Sequence, residues 1–116
     1  VIQVRIVLDG GESLSSLTVS GHASLGSRST SVECAAVSAI VRACVQAIDE
    51  RADVVASGSA SGPGDLVVQI DTVSAAASAW LRGVTDVMVT GIGRIAREAP
   101  DEVIMTTEYE GDTHGS

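Results

Sequence analysis

The chain has 116 residues, with 15 Asp and Glu against 7 Lys and Arg and a formal net charge of −8. This length suits one domain that buries roughly two-thirds of its unfolded surface, so folding requires neither disulfides nor metal, and the acidic balance argues against phosphate backbones and anionic headgroups as partners. Hydrophobic residues make up 45% but aromatics only 2%, with no phenylalanine, so the expected core is Val, Ile, Leu and Ala with Trp80 as its one large piece.

"VIQVRIVL" places Ile2, Val4, Ile6 and Leu8 on one face and Gln3 and Arg5 on the other, the period of a strand, and "DGGES" follows as turn material. The partner strand "LSSLTVSG" carries Leu14, Leu17 and Val19 in imperfect alternation, before the loop "HASLGSRST". Two caps are available for the helix that follows: Thr30 with Glu33 as a capping box, or Ser31 as N-cap. Either sets Cys34 in the first turn. From there to Ala52 no Gly or Pro intervenes; Val37, Val41, Cys44 and Ile48 hold helical spacing, widened by Ala36, Ile40, Ala43 and Ala47, which predicts burial on more than one side.

"DVVASGSA", the turn "SGPGD" and "LVVQI" predict a second hairpin. A second helix is expected from about Val73 to Glu98, with Trp80, Leu81, Val84, Met88, Ile92 and Ile95 at helical spacing and Gly83, Gly91 and Gly93 as sites for a kink or early end. Pro100 stops it, and "VIMTTEYE" is the last strand. The expected order is β-β-α-β-β-α-β, an α+β two-layer sandwich with a mixed sheet and two helices on one face. Residues 1–110 form the single domain, and 111–116 a polar tail expected to be disordered. Both helices are too apolar for one sheet face alone, so a homodimer is expected. No apolar run approaches the ~20 residues of a membrane span, and "VIQVRIVL" is interrupted by charge, unlike a signal peptide. A soluble cytoplasmic protein with no membrane or direct nucleic-acid partner is expected.

Cys34 and Cys44 on one helix stand about 15 Å apart along its axis, beyond disulfide reach. A cysteine in a helix's first turn meets unpaired N–H groups and the positive end of the dipole, which favours thiolate over thiol. His22, across a loop that can fold back, could act as its base. Against this stands a plainer alternative, Cys34 as a packing residue and His22 as a solvated loop histidine; Cys44 on the apolar stripe fits packing, and His114 lies in the tail. His22, Cys34, Cys44 and His114 do not make a metal set, so no metal or other cofactor is expected. An anion at the helix start, assisted by Arg28, is a different use of the same place. "GIG" at 91–93 has no strand before it and carries no dinucleotide signal.

"SGHA", a short loop and then "CAAVSAI" resembles the signature of the ribosomal-processing cysteine protease family Prp, also called YsxB-like. The resemblance implies a dimeric cysteine endopeptidase that removes a short N-terminal extension from a bacterial large-subunit ribosomal protein, a basic substrate during ribosome maturation. It implies Cys34 as nucleophile and His22 as general base and later acid, with Gly21 and Ala23 completing the histidine motif and Ala35, Ala36, Val37 and Ser38 the cysteine motif. Gly21, Ala23, Gly26, Arg28, Ser31 and Ser38 are the expected substrate-binding or loop residues. Ser31 stands where the family has an aspartate, and Glu33 where it has an apolar residue; a carboxylate at Glu33 would oppose a thiolate. The other reading of the fold is a non-catalytic dimer that binds a ribosomal protein or peptide.

Overall fold

The computed structural model describes residues 1–21, 32–62 and 65–111, with the backbone alone at 61 and 62. Strand β1 (Ile2–Leu8) alternates as expected: Ile2, Val4, Ile6 and Leu8 are buried and Gln3 and Arg5 exposed. It pairs antiparallel with β2 (Leu14–Ser20). The ladder runs in register from Gln3↔Ser20 to Val7↔Ser16, then shifts to Leu8↔Leu14. Ser15 is therefore an extra residue, a bulge, and it explains why the inward residues of β2 are spaced 14, 17, 19.

Helix α1 (Val32–Asp49) buries Cys34, Val37, Val41, Cys44 and Ile48. It stops short of Ala52 because the chain turns there, Arg51 N donating to Ile48 O at 3.2 Å. Ala36, Ile40 and Ala47 are half-buried and Ala43 is exposed, so within one chain the helix is buried on one side. Strands β3 (Val54–Gly62) and β4 (Asp65–Val73) form the second hairpin, with register shifts between Val55 and Ala56 and between Ser59 and Gly62.

The second helix begins later than its periodicity suggests. Strand pairing holds the chain to Val73, opposite Val54; Ser74 then caps a 3-10 turn (Ala75–Ala77), its side chain accepting from Ala77 N at 3.1 Å. Helix α2 (Ser78–Glu98) follows and runs through all three glycines without ending. A Cβ at Gly91 would stand 3.2 Å from Ile40 Cδ1, and one at Gly93 3.2 Å from Met105 Cε. Those two glycines let α2 approach α1 and the last strand, β5 (Val103–Tyr109).

The sheet order is β3-β4-β2-β1-β5, antiparallel except for β1 with β5. Strands β2 and β4 run oppositely, and their helical crossovers, to β3 and to β5, move in opposite directions. A common right hand therefore sets both helices on one face. The α+β sandwich with a mixed sheet is the architecture the sequence suggests. Trp80 departs from expectation. It is half-buried, and Leu81 beside it takes the core position; the Arg51 guanidinium lies 4.5 Å from the indole centroid. One residue along a helix turns about 100°, so only one of the two can point inward.

Candidate active site

The chain brings several strand and helix ends to one end of the sheet. Gln3 pairs with Ser20, Ile2 with Val103 and Val19 with Leu66, so the start of β1, the end of β2, the start of β5 and the start of β4 lie side by side. Gly21 leaves β2 there with φ +95°, and a Cβ on it would overlap the Val1 carbonyl oxygen. Only glycine takes this conformation without strain, and an alanine would also collide with backbone. The exit of the chain towards residue 22 is set by that geometry.

The first turn of α1 arrives at the same end. Cys34 is the third residue of the helix and is 1% exposed. Its thiol donates to the Glu102 carbonyl at 3.9 Å, a weak contact, and the same oxygen accepts from Ile2 N at 2.9 Å. The α1 start is thereby tied to β1 and β5, with Glu102 lying just before Val103. Glu33 is half-buried in the first turn, and Ser38, one turn beyond Cys34, is half-buried too. Ala35 is exposed and Ala36 half-buried.

His22, Ala23, Gly26, Arg28 and Ser31 lie outside the described residues, as do the helix cap, the turn at Pro63 and residues 112–116. Of the expected site residues, then, Gly21, Cys34 and Ser38 have a described place, and Gly21 and Cys34 share one end of the fold. Cys44 is buried, and burial pushes its thiol above the usual range. This fits packing. Among the described residues no three His, Cys, Asp or Glu side chains gather as a metal site requires.

Glu102 was missed by sequence reasoning. It acts through its carbonyl, 68 positions from Cys34, and no side-chain pattern marks such a contact. A wider concavity lies elsewhere. It is an open groove of about 500 Å³ between α1 and the β3–β4 hairpin, bordered by Arg42, Val45, Ile48, Ala56, Gly58 and Leu66. The thiol does not line it.

The sequence model described as "Cysteine protease Prp" matches residues 1–104. The chain belongs to the cysteine protease Prp family. The expected assignment from "SGHA" and "CAAVSAI" is thus correct at the level of family, and the chain is a cysteine protease. None of the curated proteins matches the sequence significantly. Among solved structures, SMU.848 from Streptococcus mutans is similar with a TM-score of 0.78 and 22% identity, covering 94% of this chain and 95% of that one. An essential ribosomal processing protease Prp from S. aureus, solved in complex with a substrate peptide, gives a TM-score of 0.75 and 16% identity over 93% of this chain and all of that one. The same protease with a covalently linked product peptide gives 0.73 and 17%, covering 95% of this chain and 100% of that chain. At these identities the Prp structures establish the shared fold.

Proposed function

We propose that this Prp-family chain is the endopeptidase that removes the N-terminal extension of a basic large-subunit ribosomal protein, with Cys34 as nucleophile and His22 as its base. The observation that carries the reading is the placement of Cys34: first turn of α1, at the end of the sheet where Gly21 delivers the chain to residue 22. The substrate class is supported by the ribosomal processing protease of the same fold and by the net charge of −8, which favours encounter with a basic chain.

In this mechanism His22 takes the Cys34 proton as Sγ attacks the scissile carbonyl carbon. The C=O electrons move to oxygen, and that oxyanion sits against backbone N–H groups at the start of α1, at the positive end of the helix dipole. The tetrahedral centre collapses, the C–N bond breaks, and His22 protonates the leaving amine. Water, deprotonated by the same imidazole, then cleaves the thioester and restores the thiol.

The protein acts in the cytoplasm and as a homodimer; no described helix is long and apolar enough to cross a membrane. Dimerisation is supported by exposed Val32 and Val87 and by Ala35, Ala39 and Ala43, exposed along one side of α1. Sedimentation should give twice the monomer mass. A second reading, a peptide binder that does not cut, is favoured by the near-complete burial of Cys34. Mass spectrometry of the host's own ribosomal protein precursor, incubated with the chain or with Cys34→Ala, separates the two. A single N-terminal trimming event by the unmutated chain only is expected; trimming by neither, with both folded and the precursor confirmed to carry its extension, overturns the peptidase and favours the binder.

A further inference from the structure

Strand β5 is an edge strand, and among the described residues no strand pairs with its outer side. In its parallel ladder alternate residues turn their backbone groups to the neighbour. Ile2 N donates to Glu102 O and Glu110 N to Leu8 O, so the even-numbered residues face β1. Val103, Met105, Thr107 and Tyr109 therefore face outward. Val103 N donates to Ala99 O at 3.0 Å. The Val103 carbonyl, and both backbone groups of Met105, Thr107 and Tyr109, have no hydrogen-bond partner among the described residues.

Proteins usually protect such an edge with a bulge, a proline or a lysine. Here the register from Ile2↔Val103 to Leu8↔Tyr109 is unbroken, and "VIMTTEY" contains neither Pro nor Lys. The opposite edge, β3, is shifted at both ends. Beside the first half of β5 runs a shallow groove of about 330 Å³, lined by Gly93, Ala96, Arg97, Pro100, Val103 and Met105. The strand begins one residue after Glu102, whose carbonyl holds the Cys34 thiol.

We infer that the outer edge of β5 is the docking rail for the substrate, an extended basic peptide that pairs as a sixth strand and runs past the Cys34 end of the sheet. The inference rests on the peptidase reading for the placement of its site. Open N–H and C=O groups at two-residue spacing recognise an extended backbone of any sequence, and side-chain choice comes from what flanks the rail. The groove takes an apolar side chain, and Arg97 on its wall disfavours Lys or Arg there. Asp101 and Glu102, in the turn between α2 and β5, are in no ion pair among the described residues and complement a basic residue of the peptide.

The test is amide exchange by NMR on the Cys34→Ala protein, with and without a synthetic peptide spanning the junction between the extension and the mature ribosomal protein. Bound peptide should slow Met105, Thr107 and Tyr109 by about tenfold or more while leaving Thr106 and Glu108, already in the ladder, unchanged. Thr107→Pro removes one outward N–H without touching the β1 ladder, as an edge strand tolerates. It should weaken peptide binding about tenfold with an unchanged circular dichroism spectrum. If that variant does not fold, the alternating exchange pattern decides. No protection, no binding, or protection in the free protein that rises with its concentration overturns the inference, the last meaning that a second copy occupies the edge. A peptide that the unmutated chain cuts but that does not protect β5 in the Cys34→Ala protein sinks this inference and leaves the peptidase; one that protects β5 but that the unmutated chain never cuts does the reverse.

Discussion

Thr85 is buried at 1% exposure in the middle of α2. Its Oγ1 donates to Leu81 O at 2.8 Å and accepts from Leu14 N at 3.0 Å. Leu14 opens β2 next to the Ser15 bulge, where the ladder leaves an N–H to be satisfied from elsewhere. Thr85→Val keeps the shape and removes the acceptor, so it should cost about 1–3 kcal/mol in urea unfolding, while Thr85→Ser should recover much of it. A second residue-scale effect concerns pH. Arg51 donates to both Asp53 carboxylate oxygens, at 2.8 and 2.9 Å, and Ser74 Oγ lies 3.2 Å from one of them. The Arg51 hydrogen bond above all lowers the Asp53 carboxyl from 3.8 to about 2. A carboxyl lowered by folding stabilises the fold above its unfolded value, and the contribution is lost as pH falls through the folded one. The urea midpoint should therefore drop between pH of about 4 and about 2, and Asp53→Asn should flatten that part of the curve.

At the scale of elements, glycines carry opposite consequences. A Cβ at Gly83, in the middle of α2, would meet nothing within 4 Å. Gly83→Ala should stabilise the protein by about 0.5–1 kcal/mol by removing backbone freedom from the unfolded chain. A Cβ at Gly58 in β3 would stand 2.8 Å from the Val67 carbonyl oxygen on the neighbouring strand. Backbone there cannot yield as a side chain can, so Gly58→Ala should cost about 1–3 kcal/mol, read as a lower thermal midpoint. Both glycines interrupt apolar patterns alike in the sequence. What separates them is a neighbour from another strand.

For the whole molecule, charge matters most through its sum. At −8, the chain attracts a basic peptide over distances that salt shortens. Raising ionic strength from about 0.05 to about 0.5 M should lower kcat/KM for the proposed substrate, a basic ribosomal-protein peptide, severalfold, mainly through KM; a flat profile would assign recognition to short-range contacts alone. The strands and helices were legible from periodicity, because an alternation such as Ile2, Val4, Ile6 or the stripe Val37, Val41, Cys44, Ile48 is written in neighbouring residues. So was Cys34 in a helix's first turn, a matter of a few adjacent residues. The sequence by itself determined the order of elements, the two-layer class and the family, all of which rest on local pattern and motif. Only the tertiary structure decided the Ser15 bulge, the outward place of Trp80, the later start of α2, the carbonyl of Glu102 beside the thiol and the open edge of β5. Each depends on residues far apart in the chain that meet only when the sheet closes, and side-chain periodicity records nothing of which backbone group a distant strand or helix will face.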